Sequence, residues 1–180
     1  GGSAEWREIA PEALEEYVSE EHNPENAKGI LGVEVLVPSP LLASGMCLVD
    51  TPGLGSVFEA NTAATREFVP HMDAAIVVIG ADPPIAGEEL ALLEALGRQV
   101  HDLLFVLNKA DRTTDAERRA AVAFAQRVIE RRLGRPAGRV FEVSAIERLD
   151  GRGPPRDWDA LVDALEQLAR RSGRALTRSA

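Results

Sequence analysis

The chain has 180 residues, 45% of them hydrophobic but only 4% aromatic, and a formal net charge of −9. That length suits one domain with an aliphatic core, and the acidic balance argues against a nucleic-acid surface as its main business. The single cysteine, Cys47, excludes a disulfide framework within the chain, and no apolar run approaches the length of a bilayer span, which points to a soluble, cytoplasmic protein.

Charge is uneven along the chain. Residues 1–30 carry eight glutamates against Arg7 and Lys28, and residues 112–139 are rich in arginine; both patterns read as solvated helix faces. Residues 4–20 are predicted helical, with Trp6, Ile9, Leu14, Tyr17 and Val18 as the apolar set and Pro11 splitting the helix. A polar break containing Pro24 follows. Val33, Val35 and Val37 alternate across 31–37 and predict a half-buried strand, stopped by Pro38 and Pro40. The next apolar run predicts a strand over 46–50 that ends on Asp50, with Cys47 as a small buried core residue. A short connection joins these two strands, so an antiparallel pair is expected.

Beyond Asp50, Asn61 or Thr62 is placed to cap a helix running to Phe68. Residues 74–80 read as a buried strand with Asp73 at its boundary, and Asp82-Pro83-Pro84 as a turn. Residues 88–99 carry Leu90, Leu92, Leu93 and Leu96 at helical spacing. Residues 102–107 read as a buried strand ended by Asn108, and 115–133 as a long helix. A short strand over 139–143 ends at Ser144. The closing helix, 158–171, presents Leu161, Val162, Leu165 and Leu168. Strands alternating with helices predict an α/β fold, a mostly parallel sheet with helices on both faces. In such sheets ligands bind beyond the carboxyl ends of the strands, where Asp50, Asn108 and Ser144 are all expected.

Three short motifs share that edge. In Asp50-Thr51-Pro52-Gly53, the carboxylate can hold magnesium through a water, because Mg²⁺ keeps part of its hydration shell. Gly53 has no side chain, so its N–H can approach a terminal phosphate closely. In Asn108-Lys109-Ala110-Asp111, the Asp111 carboxylate can accept from guanine N1–H and N2–H₂, a pair of donors that adenine lacks. The Lys109 stem can lie over the base, and Asn108 can tie neighbouring loops together. In Ser144-Ala145, the Ala145 N–H can meet the guanine carbonyl oxygen. Alone, D-T-P-G is a moderate signal, N-K-x-D a fairly specific one, and a Ser-Ala pair means almost nothing; their order, each after an apolar strand, is the stronger signal. His22, His71 and His101 are scattered without metal-ligand spacing.

With these motifs the sequence resembles a GTPase, and more narrowly the dynamin superfamily in its bacterial dynamin-like form. The resemblance covers roughly residues 13–145. It rests on "LEEYVSEEHNPENAKG", "VEVLVPSPLLASGMCLVDTPGLGS", "NTAATREFVPHMDAAIVVIGADPPIAGEELALLEAL" and "LLFVLNKAD". It implies GTP or GDP with Mg²⁺ as ligands, GTP hydrolysis, self-association and a membrane surface as partners, and a peripheral place on the inner membrane. Nucleic acid is not expected as a partner. On this reading 1–30 is an acidic helical lead-in, 31–145 the core of the GTPase domain, and 146–180 a C-terminal helix. Leu54 stands where some GTPases keep a water-orienting glutamine. The phosphate loop, G-x-x-x-x-G-K-[ST], does not occur: the lysines are Lys28, between Ala27 and Gly29, and Lys109, within the N-K-A-D motif. The sequence therefore reads as a GTPase domain lacking its N-terminal part and its central first strand, inactive by itself. The alternative is a nucleotide-independent interaction or scaffold domain derived from a GTPase.

Overall fold

Pro11 and Ser19 keep the acidic N-terminal stretch from forming one long helix. In a computed structural model of the chain, which describes residues 5–50, 69–80 and 87–178, a 3₁₀ turn spans Pro11–Ala13 and helix α1 spans Glu15–Val18. Pro11 opens the turn, where its missing N–H has no intrahelical partner to lose. Ser19 is extended, with φ −88° and ψ 144°, and ends α1. The predicted division at Pro11 is present, but the helical residues are fewer than 4–20, and Trp6 lies exposed before them.

A second turn, Pro24–Asn26, is organised by side-chain amides. Asn23 is buried; its Nδ2 donates to the Tyr17 carbonyl at 2.8 Å and to Asn26 Oδ1 at 3.1 Å. Its Oδ1 accepts from the Lys28 N–H at 2.9 Å. Lys28 Nζ donates to the Glu16 carbonyl at 2.5 Å and lies 5.2 Å from the centroid of the Tyr17 ring. These residues belong to the first of two compact units, Gly1–Ser39; the second is Pro40–Ala180.

In the second unit, three of the apolar runs pair. Strands β1 (Ala74–Gly80), β2 (Asp102–Asn108) and β3 (Val140–Glu142) form one sheet in that order, parallel throughout. Parallel neighbours need long crossovers. Helix α2 (Gly87–Gln99) lies between β1 and β2, and α3 (Asp115–Leu133) between β2 and β3. Helices α4 (Ala145–Leu149) and α5 (Trp158–Arg178) follow β3. The predicted α/β class is what the structure has. The closing helix runs longer than 158–171, and α4 was not anticipated.

Strand alternation sorts the core into two layers. Phe105, Leu107 and Val140 pack with Leu93 of α2 and Ala125 and Ile129 of α3. On the other face Val106 and Phe141 pack with Leu161 and Leu165 of α5. Helices thus cover both faces, although Ile76 and Val78 of β1 remain exposed. Helix α3 starts on a reciprocal cap: Thr114 Oγ1 accepts from the Glu117 N–H, and the Glu117 carboxylate accepts from the Thr114 N–H. Gly97 lets α2 approach α3, since a Cβ there would lie 2.3 Å from Leu133 Cδ2.

Two expected strands are corrected. Residues 31–37 and 46–50 belong to no ladder, so the antiparallel pair is not formed among the described residues. Val35 and Leu48 are 57% and 54% exposed. Alternating valines say which side chains can be buried together; a strand also needs a neighbour for its N–H and C=O groups. Neither run has one among the described residues. Cys47 is corrected with them: its thiol is exposed rather than buried. The predicted helix ending at Phe68 and the turn at 82–84 lie outside the described residues, as do Gly53 and Leu54.

Candidate functional site

The carboxyl ends of β2 and β3 bring the N-K-A-D and Ser-Ala motifs together. Register sets this up: Leu107 pairs with Glu142, and the ladder continues past the strand ends. The Val143 N–H donates to the Leu107 carbonyl at 2.9 Å, and the Ala110 N–H donates to the Val143 carbonyl at 3.1 Å. Ala110 is fully buried and anchors the turn Ala110–Arg112 beneath the site.

Asn108 is the last residue of β2. Its Oδ1 accepts from the Lys109 N–H at 2.8 Å and from the Ala145 N–H at 3.1 Å, so one amide joins the two loops. The Ala145 N–H, assigned from the sequence to the guanine carbonyl oxygen, is therefore already shared with Asn108. Lys109 has φ 62° and ψ 32°, the left-handed region. A side-chain-bearing residue there costs about 1 kcal/mol or more, which the surrounding hydrogen bonds must hold in place. Its side chain is exposed.

Ser144 is completely buried, and its Oγ donates to Asp111 Oδ1 at 2.5 Å. The same oxygen accepts from the Glu147 N–H at 3.3 Å and caps α4. The Trp158 Nε1–H donates to the Ser144 carbonyl at 3.4 Å. Asp111 itself is exposed, and its pKa is held below the ordinary aspartate value. The Ser144 hydroxyl is the largest cause; burial, next in size, opposes it, and Asp111's own backbone N–H and the charges of Arg112 and Arg156 add smaller lowering effects. An ionised carboxylate offers about four lone-pair sites, so the Ser144 bond leaves acceptor capacity for a base with two donors.

The phosphate side is sparser. Asp50 is exposed and follows a run without ladder partners. Among the described residues no group of three or more metal-ligating side chains occurs. A single carboxylate suits Mg²⁺ only beside the phosphates of a bound nucleotide, because the ion keeps several of its waters.

Two residues of the site were not singled out from sequence. Glu147 and Arg156 form an ion pair, Arg156 Nε to Glu147 Oε2, at 2.5 Å, with side chains 21% and 10% exposed. The signal for the first was available: Ser144-Ala145-Ile146-Glu147 has the S-x-x-E spacing of a capping box. The Glu147 side chain instead turns to Arg156.

The model of the Dynamin family matches residues 5–110. An uncharacterized protein in the xynA 3′ region of Caldicellulosiruptor sp. (strain Rt8B.4) is 35% identical over 146 residues, 81% of this chain and 36% of that protein. A probable transmembrane GTPase, FZO-like and chloroplastic, from Arabidopsis thaliana is 31% identical over 117 residues, 64% of this chain and 13% of that protein. The isoniazid-induced protein IniA of Mycobacterium tuberculosis (strain CDC 1551 / Oshkosh) is 35% identical over 74 residues, 41% of this chain and 11% of that protein. The chain thus spans little more than a third of the first of these relatives and far less of the others. A family match across more than half of the chain, reaching Ala110 within the N-K-A-D motif, means that this chain belongs to the dynamin family, in its GTPase domain.

Proposed function

We propose that residues 1–180 form the base-binding part of a domain that binds and hydrolyses GTP. The bond from Ser144 Oγ to Asp111 Oδ1 supports this most, because it joins residues 33 apart into one polar edge beyond β2 and β3. On this reading Asp111 accepts from the guanine N1–H and N2–H₂ edge, Lys109 lays its stem over the base, and Asn108, Ser144 and Ala145 hold the loops in register. Asp50 serves magnesium through a water, and Gly53 serves the terminal phosphate. The lysine and hydroxyl that hold the β- and γ-phosphates come from sequence outside these 180 residues, since neither Lys28 nor Lys109 stands in a G-K-[ST] context. Within the domain, 1–30 is the lead-in, 31–145 the core and 146–180 the C-terminal helix.

For the whole protein we propose self-assembly on a membrane driven by hydrolysis, from a cytoplasmic position against the inner membrane. The name of the Arabidopsis relative, a probable transmembrane GTPase, supports a membrane setting. Among the described residues no helix is long and apolar enough to cross a membrane. A second reading, a scaffold that uses no nucleotide, is favoured by one observation: Lys28 Nζ is tied to the Glu16 carbonyl rather than presented to a ligand.

Titration with fluorescent GTP and GDP separates the two readings. Losing several charge-assisted bonds of about 1.5–3 kcal/mol each weakens binding by roughly three decades or more. Residues 1–180 alone should bind at millimolar concentrations or worse and show no hydrolysis. A protein that adds a G-x-x-x-x-G-K-[ST] segment upstream should bind in the micromolar range. In that protein Asp111→Asn replaces an acceptor by a donor, so GTP should weaken and xanthosine triphosphate gain. Unchanged guanine preference would sink the role of Asp111; absent binding in the longer protein would favour the scaffold.

A further inference from the structure

The loop over residues 150–157, Asp-Gly-Arg-Gly-Pro-Pro-Arg-Asp, is built rather than loose. Its far end is fixed to β3. The Asp157 N–H donates to the Glu142 carbonyl at 3.0 Å, and Asp157 Oδ2 accepts from the Glu142 N–H at 2.9 Å. Asp157 Oδ1 also accepts from Arg139 at 2.7 Å. Its near end turns through Gly151 and Gly153, both at positive φ. Gly153 leaves room for the Glu147 carboxyl, because a Cβ there would lie 2.5 Å from Glu147 Cδ. Arg156 is also at positive φ, 47°, without being glycine. A strained arginine with only 10% of its side chain exposed, paired to a glutamate in the first turn of α4, is unusual for a connecting loop.

We propose that Arg156, clamped by Glu147, is a positioning residue for base recognition: through Glu147 it holds α4 and Ser144 against Asp111. The connectivity is continuous. Arg156 bonds the Glu147 carboxylate, the Glu147 N–H bonds Ser144 Oγ, and Ser144 Oγ bonds Asp111. The Arg156 charge acts on Asp111 and also on Asp115 at the start of α3. Among the described residues, Arg112 on the same turn is the other charge that lowers the Asp111 pKa. The inference rests on the reading of Asp111 as the guanine-recognising carboxylate, and its test uses no nucleotide, so the two can fail separately.

The experiment is a pH titration of residues 1–180 carrying ¹³C-carboxyl aspartate, followed by NMR, with Asp111→Asn identifying the Asp111 signal. Arg156→Gln should raise the Asp111 midpoint, because Ser144 then holds the ionised carboxylate less firmly. Arg156→Lys keeps the charge and should restore most of the shift. Glu147→Gln breaks the clamp from its other side and should raise the midpoint as well. An ion pair with no hold on Ser144 would leave the Asp111 midpoint at its wild-type value in both variants. No shift in either variant, or shifts of opposite sign, would overturn the proposal. Should Arg156→Gln fail to fold, Glu147→Gln serves by itself, and an unmoved Asp111 midpoint there would be equally fatal.

Discussion

The Ser144 hydroxyl does two jobs with one oxygen: it accepts from the first turn of α4 and donates to Asp111. Removing it should separate these effects. Ser144→Ala loses a helix cap worth about 1 kcal/mol and also the largest of the causes that lower the Asp111 pKa. The sign follows from linkage. A carboxyl whose folded-state pKa is depressed contributes stability above its unfolded value, near about 4, and loses that contribution as pH falls through the lowered folded value. Guanine recognition that needs the ionised carboxylate should therefore persist in wild type to pH values below the usual aspartate range. In Ser144→Ala it should fade at a higher pH. Nucleotide affinity measured against pH in a protein carrying the phosphate loop checks this; superimposable profiles would remove Ser144 from that role.

At the scale of elements, burial predicts which substitutions hurt. Leu107 in β2 is 0% exposed and packed on both α2 and α3 sides, whereas Val78 in β1 is 56% exposed. Leu107→Ala should cost about 2–5 kcal/mol, and Val78→Ala a small fraction of that. Thr114→Ala should cost about 0.5–2 kcal/mol by opening the cap of α3. Urea unfolding monitored by circular dichroism measures all three. The elements readable in advance were those whose own residues carry the signal. Strands 74–80 and 102–108 are apolar runs closed by turn residues, and α3 announces itself with Thr114 and Glu117. The runs 31–37 and 46–50 were misread for a physical reason: alternation records a capacity to pair, while pairing depends on a distant segment. Helix α4 escaped notice because five residues show no period, and Arg156 because a glycine- and proline-rich loop gives no hint of what it encloses. Within the site, the closeness of Asp111 and Ser144 followed from strand order, whereas the engagement of the Ala145 N–H by Asn108 depends on side-chain geometry that no motif encodes.

For the molecule as a whole, the two motif-bearing loops at one sheet edge are well organised, while Asp50 sits on a stretch without sheet partners. On the proposed reading, the base side is thus the better organised of the two among the described residues, which is why the nucleotide titration compares residues 1–180 with a longer protein. Cys47 offers a direct view of that difference. It is the one thiol in the sequence, exposed, and three positions before Asp50. A maleimide dye therefore attaches at a single address, and its reaction rate becomes an optical gauge of whether residues 46–50 have entered a sheet. Residues 1–180 should label as fast as an unhindered thiol. A protein in which that run is laddered and covered should label markedly more slowly, and equal rates would show that the run stays open. The same accessibility has a practical side at the bench: stored in air without reductant, the purified chain should gather a reducible species of doubled mass on a gel, linked through Cys47.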